Sequence, residues 1–165
     1  KQSKAEQNFT DAYNSYGDAI FRFCFFRVYD RERAKEIMQD VFMRTWDYQS
    51  RGNRIKNLRA FLYTTARNLI IDESRKQKDI SLELLQKSGF EPVDKLDLAR
   101  MAEQMDMLET IHLIDEKYKE PIILRYVDGF SIKEIAGIIG ESANVISVRI
   151  HRGLKQLREI LAENV

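Results

Sequence analysis

Apolar residues recur along this chain at intervals of three and four, and strict apolar/polar alternation is nearly absent. That spacing returns side chains to one face of an α-helix, so it predicts an all-α fold. The first stripe, Phe9, Tyr13, Ile20, Phe21 and Phe25, predicts a helix capped by Thr10 and ending near Val28. Asp30 opens a second helix, through about Tyr48, with Ala34, Ile37, Val41, Thr45 and Trp46 on one side. Lys35, Glu36, Gln39, Asp40, Arg44 and Asp47 fall mostly on the other. The polar, basic run Gln49–Asn57 contains Gly52 and reads as a loop. A third helix, from about Leu58 to Gln77, has a core side of Leu58, Phe61, Leu62, Thr65, Ala66 and Leu69.

The pattern then lapses. Ser88-Gly89-Phe90-Glu91-Pro92 breaks any helix, so residues 79–98 read as an acidic linker with a short helix at Leu82–Lys87. Periodicity returns at about Leu98 and continues through Met101, Met105, Leu108, Ile111 and Leu113. Asp115 reads as the cap of the next helix, whose first turns Pro121 makes irregular and which Asp128-Gly129 ends. The expected organisation is two small helical domains, residues 1–78 and 99–165, joined by the linker.

Charge sharpens this division. The whole chain has 27 basic and 26 acidic groups, a formal charge of +1. Residues 1–78 carry 16 basic and 10 acidic groups, net +6; residues 79–116 carry 3 and 10, net −7; residues 117–165 carry 8 and 6, net +2. Two basic blocks flank an acidic centre, the asymmetry expected of a nucleic-acid binder. The lone Cys24 excludes an internal disulfide, and its neighbours Phe23, Phe25 and Phe26 favour a buried hydrophobe over a redox sensor. His112 and His151 are the only histidines, which argues against a structural zinc site. No apolar run reaches bilayer length and no leader pattern is visible, so membrane insertion is not expected and a reducing cytoplasm is. The first residue is lysine, which leaves open whether the natural start is present. With no glycine-rich phosphate loop, no nucleophile–histidine pair and no carboxylate cluster, neither an enzyme, a cofactor nor a small-molecule substrate is expected.

Ser131 to Leu161 carries the most specific pattern. Ser131-Ile132-Lys133-Glu134 has the capping-box spacing, and Ile132, Ile135, Ala136 and Ile139 line a short helix. Gly140-Glu141-Ser142-Ala143 is a tight turn into a long helix from Asn144 to about Glu163. Helix, glycine turn and second helix make a helix-turn-helix, whose second helix reads the DNA major groove. At 100° per residue from Arg149, Ile146, Ile150, Leu154, Leu157 and Leu161 fall between about 60° and 140°. Arg149, Arg152, Lys155 and Arg158 fall at about 0°, 300°, 240° and 180°, away from that stripe. No acidic residue lies on the helix between Asn144 and Arg158, which favours a polyanionic partner over an ordinary solvated face. Val145 and Val148 point to the basic side, where they suit thymine methyls.

Three blocks of the chain together resemble the extracytoplasmic-function (ECF) sigma factors, the small two-domain initiation factors of bacterial RNA polymerase. Ala34–Trp46 is similar to the second conserved helix of sigma region 2, Leu58–Arg75 to that region's promoter-reading helix, and Glu116–Tyr126 with the helix-turn-helix to sigma region 4. The resemblance implies that Glu36, Gln39, Asp40 and Arg44 dock on core RNA polymerase, although by composition alone that face suits water equally. It implies that the loop and third helix open and read the −10 element as single strand. Arg51, Asn53, Arg54, Lys56, Asn57, Arg59 and Arg67 would supply phosphate and polar contacts, and Asn68 and Asp72 would reach base edges. An ion pair of Asp72 with Arg75 or Arg67 is an equal alternative. The segment Gly52–Asn57, where the family builds a pocket for a flipped base, has no aromatic residue, so Ile55 and polar groups must serve.

The −35 element would be read as duplex by Asn144, Val145, Ser147, Val148, Arg149, His151, Arg152 and Lys155. Here the chain departs from a common family pattern, Gly-Thr-Val-Lys-Ser-Arg, with Asn144-Val145-Ile146-Ser147-Val148-Arg149. The groove side loses a lysine and a serine, which predicts altered base preference or weaker −35 dependence. The resemblance also implies an anti-sigma factor as a partner. Two alternatives stay open: a stand-alone helix-turn-helix regulator, which leaves the basic block at 51–76 unexplained, and a polymerase-binding module that no longer initiates, to which the atypical turn lends weight.

Overall fold

The structure, a computed structural model, describes residues 3–28, 30–76, 110–111 and 113–163. The expected linker 79–98, with its short helix, lies outside the described residues, as does nearly all of the helix expected from 98 onward. The described residues form helices and turns, with no strand among them, in an all-α fold of two compact units, Lys1–Glu91 and Pro92–Val165.

In the first unit α1 spans Lys4–Val28, α2 Arg31–Ser50 and α3 Leu58–Lys76, and each packs on the other two. The start of α1 differs from expectation. Ser3 and Glu6 form a capping box, with the Ser3 N–H donating to Glu6 Oε2 at 2.9 Å and the Glu6 N–H to Ser3 Oγ at 3.2 Å. Thr10 is therefore inside the helix, where its hydroxyl donates to the Glu6 carbonyl. Asp30 caps α2 as expected, accepting from the Arg33 N–H at 3.0 Å.

The core of this unit combines Ile20, Phe23, Cys24 and Phe25 of α1, Ala34, Ile37, Met38, Val41 and Phe42 of α2, and Leu62, Tyr63, Ala66 and Ile70 of α3. Aromatic edges lock it. Phe9 meets Phe42 and Trp46 at centroid distances of 6.2 and 5.1 Å, Tyr13 meets Phe42 at 5.0 Å, and Phe23 meets Tyr63 at 5.1 Å. Buried Thr45 is satisfied by donating to the Val41 carbonyl at 2.7 Å. The inward face of α3 is turned from the expected one. Tyr63 and Ile70 are buried, whereas Leu58, Phe61, Thr65 and Leu69 are only half-buried at its edges.

The second unit holds α4 (Glu116–Ile122), a single π-helical stretch (Ile123–Val127), α5 (Ile132–Ile139) and α6 (Ala143–Glu163). Asp115 stands at the N-cap of α4 but makes no side-chain cap bond. Gln156 of α6 claims it instead: the Asp115 N–H donates to Gln156 Oε1 at 3.2 Å, and Gln156 Nε2 donates to Asp115 Oδ2 at 3.3 Å. The irregularity expected at Pro121 falls after it, not before. Pro121 is buried within α4 and the widened turn follows, closed by the Asp128 N–H donating to the Ile123 carbonyl at 3.1 Å. Arg125 Nη1 donates to the Phe130 carbonyl at 2.9 Å, and Gly129, at φ +72°, turns the chain out of the helix.

An aliphatic core of Ile111, Ile114, Ile122, Leu124, Ile135, Ile138, Ile146 and Ile150, with Tyr118 and Phe130, fills this unit. Ile114 is buried where the stripe pointed to Leu113, which is 60% exposed. Helix α6 presses on α4 at Gly153, where an added Cβ would lie 2.4 Å from Ile122 Cδ1 and 2.8 Å from Tyr118 Cβ. Leu161, expected in the core stripe, is exposed beyond that contact.

Candidate nucleic-acid interface

The helix-turn-helix forms as its sequence dictates. Ser131 Oγ accepts from the Glu134 N–H at 3.1 Å while Glu134 Oε1 accepts from the Ser131 N–H at 3.1 Å. Gly140 ends α5 at φ +82°, a conformation that costs an L side chain but not glycine. Ser142 then opens α6, its hydroxyl accepting from the Val145 N–H at 3.2 Å. With both ends of the turn pinned, Ile146 and Ile150 point into the core and the opposite side of α6 is presented outward.

On that outward side Asn144, Val148, His151, Arg152, Lys155 and Arg158 are exposed, and Val145, Ser147 and Arg149 are half-buried. Val148 keeps 39% exposure among cations. The all-positive stretch between Asn144 and Arg158 is bounded by acids on both sides, and exposed Glu159 follows it on the same face of α6. Glu141, in the turn, pairs with Arg149 across 3.3 Å. A wheel drawn on α6 alone omits this residue, because it precedes the helix.

In the first unit the loop between α2 and α3 is braced at both ends. Asn53 Nδ2 donates to the Tyr48 carbonyl at 3.1 Å, and Asn57 Oδ1 accepts from the Ala60 N–H at 3.1 Å, which makes Asn57 the cap of α3. Arg51 pairs with Asp47 at 3.1 Å on the surface, and Arg54 and Lys56 are exposed. Ile55 is half-buried. The Arg59 guanidinium lies over the Tyr63 ring, 5.7 Å from its centroid, and Arg67 is half-buried. Asn68 and Asp72 are both exposed, one turn apart on α3.

The outward face of α2 carries Glu36, Gln39, Asp40 and Arg44, all exposed. It also carries Met43, 68% exposed and within one turn of Gln39 and Asp40. The place of Met43 on the polar side of α2 was legible from the helical spacing. Glu36 is partly engaged by Arg33, whose other guanidinium nitrogen pairs with Glu73 of α3. This triad ties the start of α2 to the end of α3.

Two family profiles match this chain: "Sigma-70 region 2" over residues 12–80 and "Sigma-70, region 4" over residues 98–157. Over 97% of the chain it is 26% identical to the ECF RNA polymerase sigma factor SigX of Bacillus subtilis, covering 88% of that protein. It is 27% identical to SigW of the same organism, again over 97% of the chain and covering 92% of that protein. The chain belongs to the ECF sigma factors. Solved structures share the fold of this sigma factor. The sigma factor RpoE, in complex with the anti-sigma factor NepR from Bartonella quintana, superposes with a TM-score of 0.71 at 24% identity, covering 94% of this chain and 98% of that one. CnrH, in complex with the cytosolic domain of CnrY, gives 0.68 at 22% identity over 96% and 90%. The two profiles fall on the two units, so α2 and α3 belong to region 2 of the sigma factor and its helix-turn-helix to region 4. No described helix is long and apolar enough to cross a membrane.

Proposed function

We propose that this ECF sigma factor binds core RNA polymerase, directs it to promoters and opens them, acting in the cytoplasm as a specificity factor and not as an enzyme. The observation that carries this reading is the pairing, in one chain, of a capped helix-turn-helix with a separate helical unit whose own basic loop is braced at Asn53 and Asn57. A stand-alone operator-binding regulator needs the first and has no use for the second.

Residues 1–78 form the polymerase-docking and −10 domain, residues 99–165 the −35 domain, and residues 79–98 the tether. Glu36, Gln39, Asp40 and Arg44, with Met43 added, make the core-polymerase face. Arg51, Arg54, Lys56, Arg59 and Arg67 hold phosphates of the opened −10 strand, and Asn68 and Asp72 meet its bases. Asn53 and Asn57 act first by fixing the loop. Arg152 and Lys155 hold −35 phosphates, while Asn144, Val145, Ser147, Val148, Arg149 and His151 face the groove floor. An anti-sigma factor is the expected protein partner, in line with the RpoE neighbour, which was solved in complex with the anti-sigma factor NepR.

Run-off transcription with purified core polymerase and pooled promoter fragments tests this. Promoter-specific transcripts that disappear without the sigma factor are expected. Arg152→Ala should weaken binding to a −35 duplex, lowering the salt slope by roughly 0.9, and leave core-polymerase affinity unchanged. Core binding without transcripts supports the second reading, a polymerase-binding module that does not initiate, which the replacement of groove-side lysine and serine by Ser147 and Val148 favours.

A further inference from the structure

We infer that Glu141 is a positioning residue that sharpens DNA discrimination by holding Arg149 away from phosphates until a base partner displaces it. This rests on the reading of α6 as the −35 helix. The Glu141 backbone is fixed from both directions: Gly140 sets the left-handed turn before it, its own N–H donates to the Ala136 carbonyl at 3.1 Å, and Ser142 begins the cap after it. Its side chain is therefore anchored at a fixed point beside the first turns of α6. Arg149 comes to it, Nη2 to Oε1 at 3.3 Å, and is drawn in to 29% side-chain exposure. Arg152, Lys155 and Arg158 on the same side are exposed.

An ion pair this exposed adds little to folding. Its effect lies in competition. On a random duplex Arg149 exchanges one oxygen partner for another, and the Glu141 carboxylate is left facing phosphates that repel it. At a guanine, O6 and N7 together offer the guanidinium two acceptors where Glu141 offers one contact. The turn carboxylate thus taxes sequence-independent contact more than base contact, a repulsive element of specificity.

The test is fluorescence anisotropy with the full chain, comparing a −35 promoter duplex with a scrambled duplex from 0.05 to 0.2 M salt. Glu141→Gln should bind the scrambled duplex about threefold more tightly at low salt and steepen its salt slope by about 0.9, as one added phosphate contact does. The promoter-to-scrambled ratio should fall. Glu141→Asp, which keeps the charge, should stay near the parent protein. Glu141→Gln introduced into Arg149→Ala should give a clearly smaller gain than in the parent protein, the part due to carboxylate–phosphate repulsion alone. Unchanged slope and ratio in Glu141→Gln, or the same gain with Arg149 already removed, overturns the inference. Arg152→Ala separates the two levels: if it weakens promoter binding while Glu141→Gln changes nothing, only this inference fails. If neither variant changes binding, the assignment of α6 fails and this inference with it.

Discussion

The two units solve the same problem by different means. Region 2 has three helices of 25, 20 and 19 residues among the described residues, and it fixes their rotation with aromatic edges between them. Among the described residues, region 4 has helices of 7 and 8 residues before the 21-residue α6. Helices that short are marginal by themselves. They are set by local polar devices instead: the Ser131–Glu134 box, Gly140, Ser142, the Arg125–Phe130 bond and the Asp115–Gln156 pair. The difference teaches where each unit is fragile, the first in its packing and the second in its close contacts and caps.

The contrast can be broken most forcefully in region 2. Phe42 is 2% exposed and meets both Phe9 and Tyr13, so Phe42→Ala should cost about 3–5 kcal/mol in urea unfolding. If region 4 depends on close approach, Gly153→Ala should come next, at about 1–3 kcal/mol, because Tyr118 Cβ cannot swing aside as Ile122 Cδ1 can. Removing a cap sharpens the same point: Ser131→Ala should cost about 1 kcal/mol in thermal unfolding, with loss confined to region 4. Least felt near neutral pH is Cys24, whose thiol burial pushes up from 9.0 to about 12, against a smaller opposing pull from Arg27. A pKa raised in the folded state gives stability that is whole below pH 9 and is lost as pH rises towards about 12. The difference in stability between the parent protein and Cys24→Ala should therefore be flat up to pH 9 and shrink above it, as chemical denaturation at a series of pH values would measure.

Apart from the start of α1, periodicity made the helices of region 2 legible to within a few residues, and the α5–α6 unit almost wholly so. What it missed has identifiable causes. Ser3 and Glu6 have capping-box spacing, but the first apolar stripe begins later and drew the helix start to Thr10. The stripe of α3 admits two rotations, and only the ring of Phe23, contributed by α1, selects the one that buries Tyr63. Asp115 has the residue type of a cap, yet a partner 41 residues away claims its carboxylate. The outward-facing residues of α6 followed from its wheel, whereas Glu141 did not, because the pair it makes crosses from the turn. Asn53 and Asn57 have the chemistry of base readers, and only the loop's path reveals that their amide groups brace it.

Gly153 bears on how such a factor changes allegiance over evolutionary time. With its back set against α4, where even a methyl group would press on Tyr118 Cβ, α6 is held closely against rolling about its own axis. A new promoter preference must then be acquired by exchanging side chains on a fixed rod, one position at a time, and not by re-aiming the rod itself.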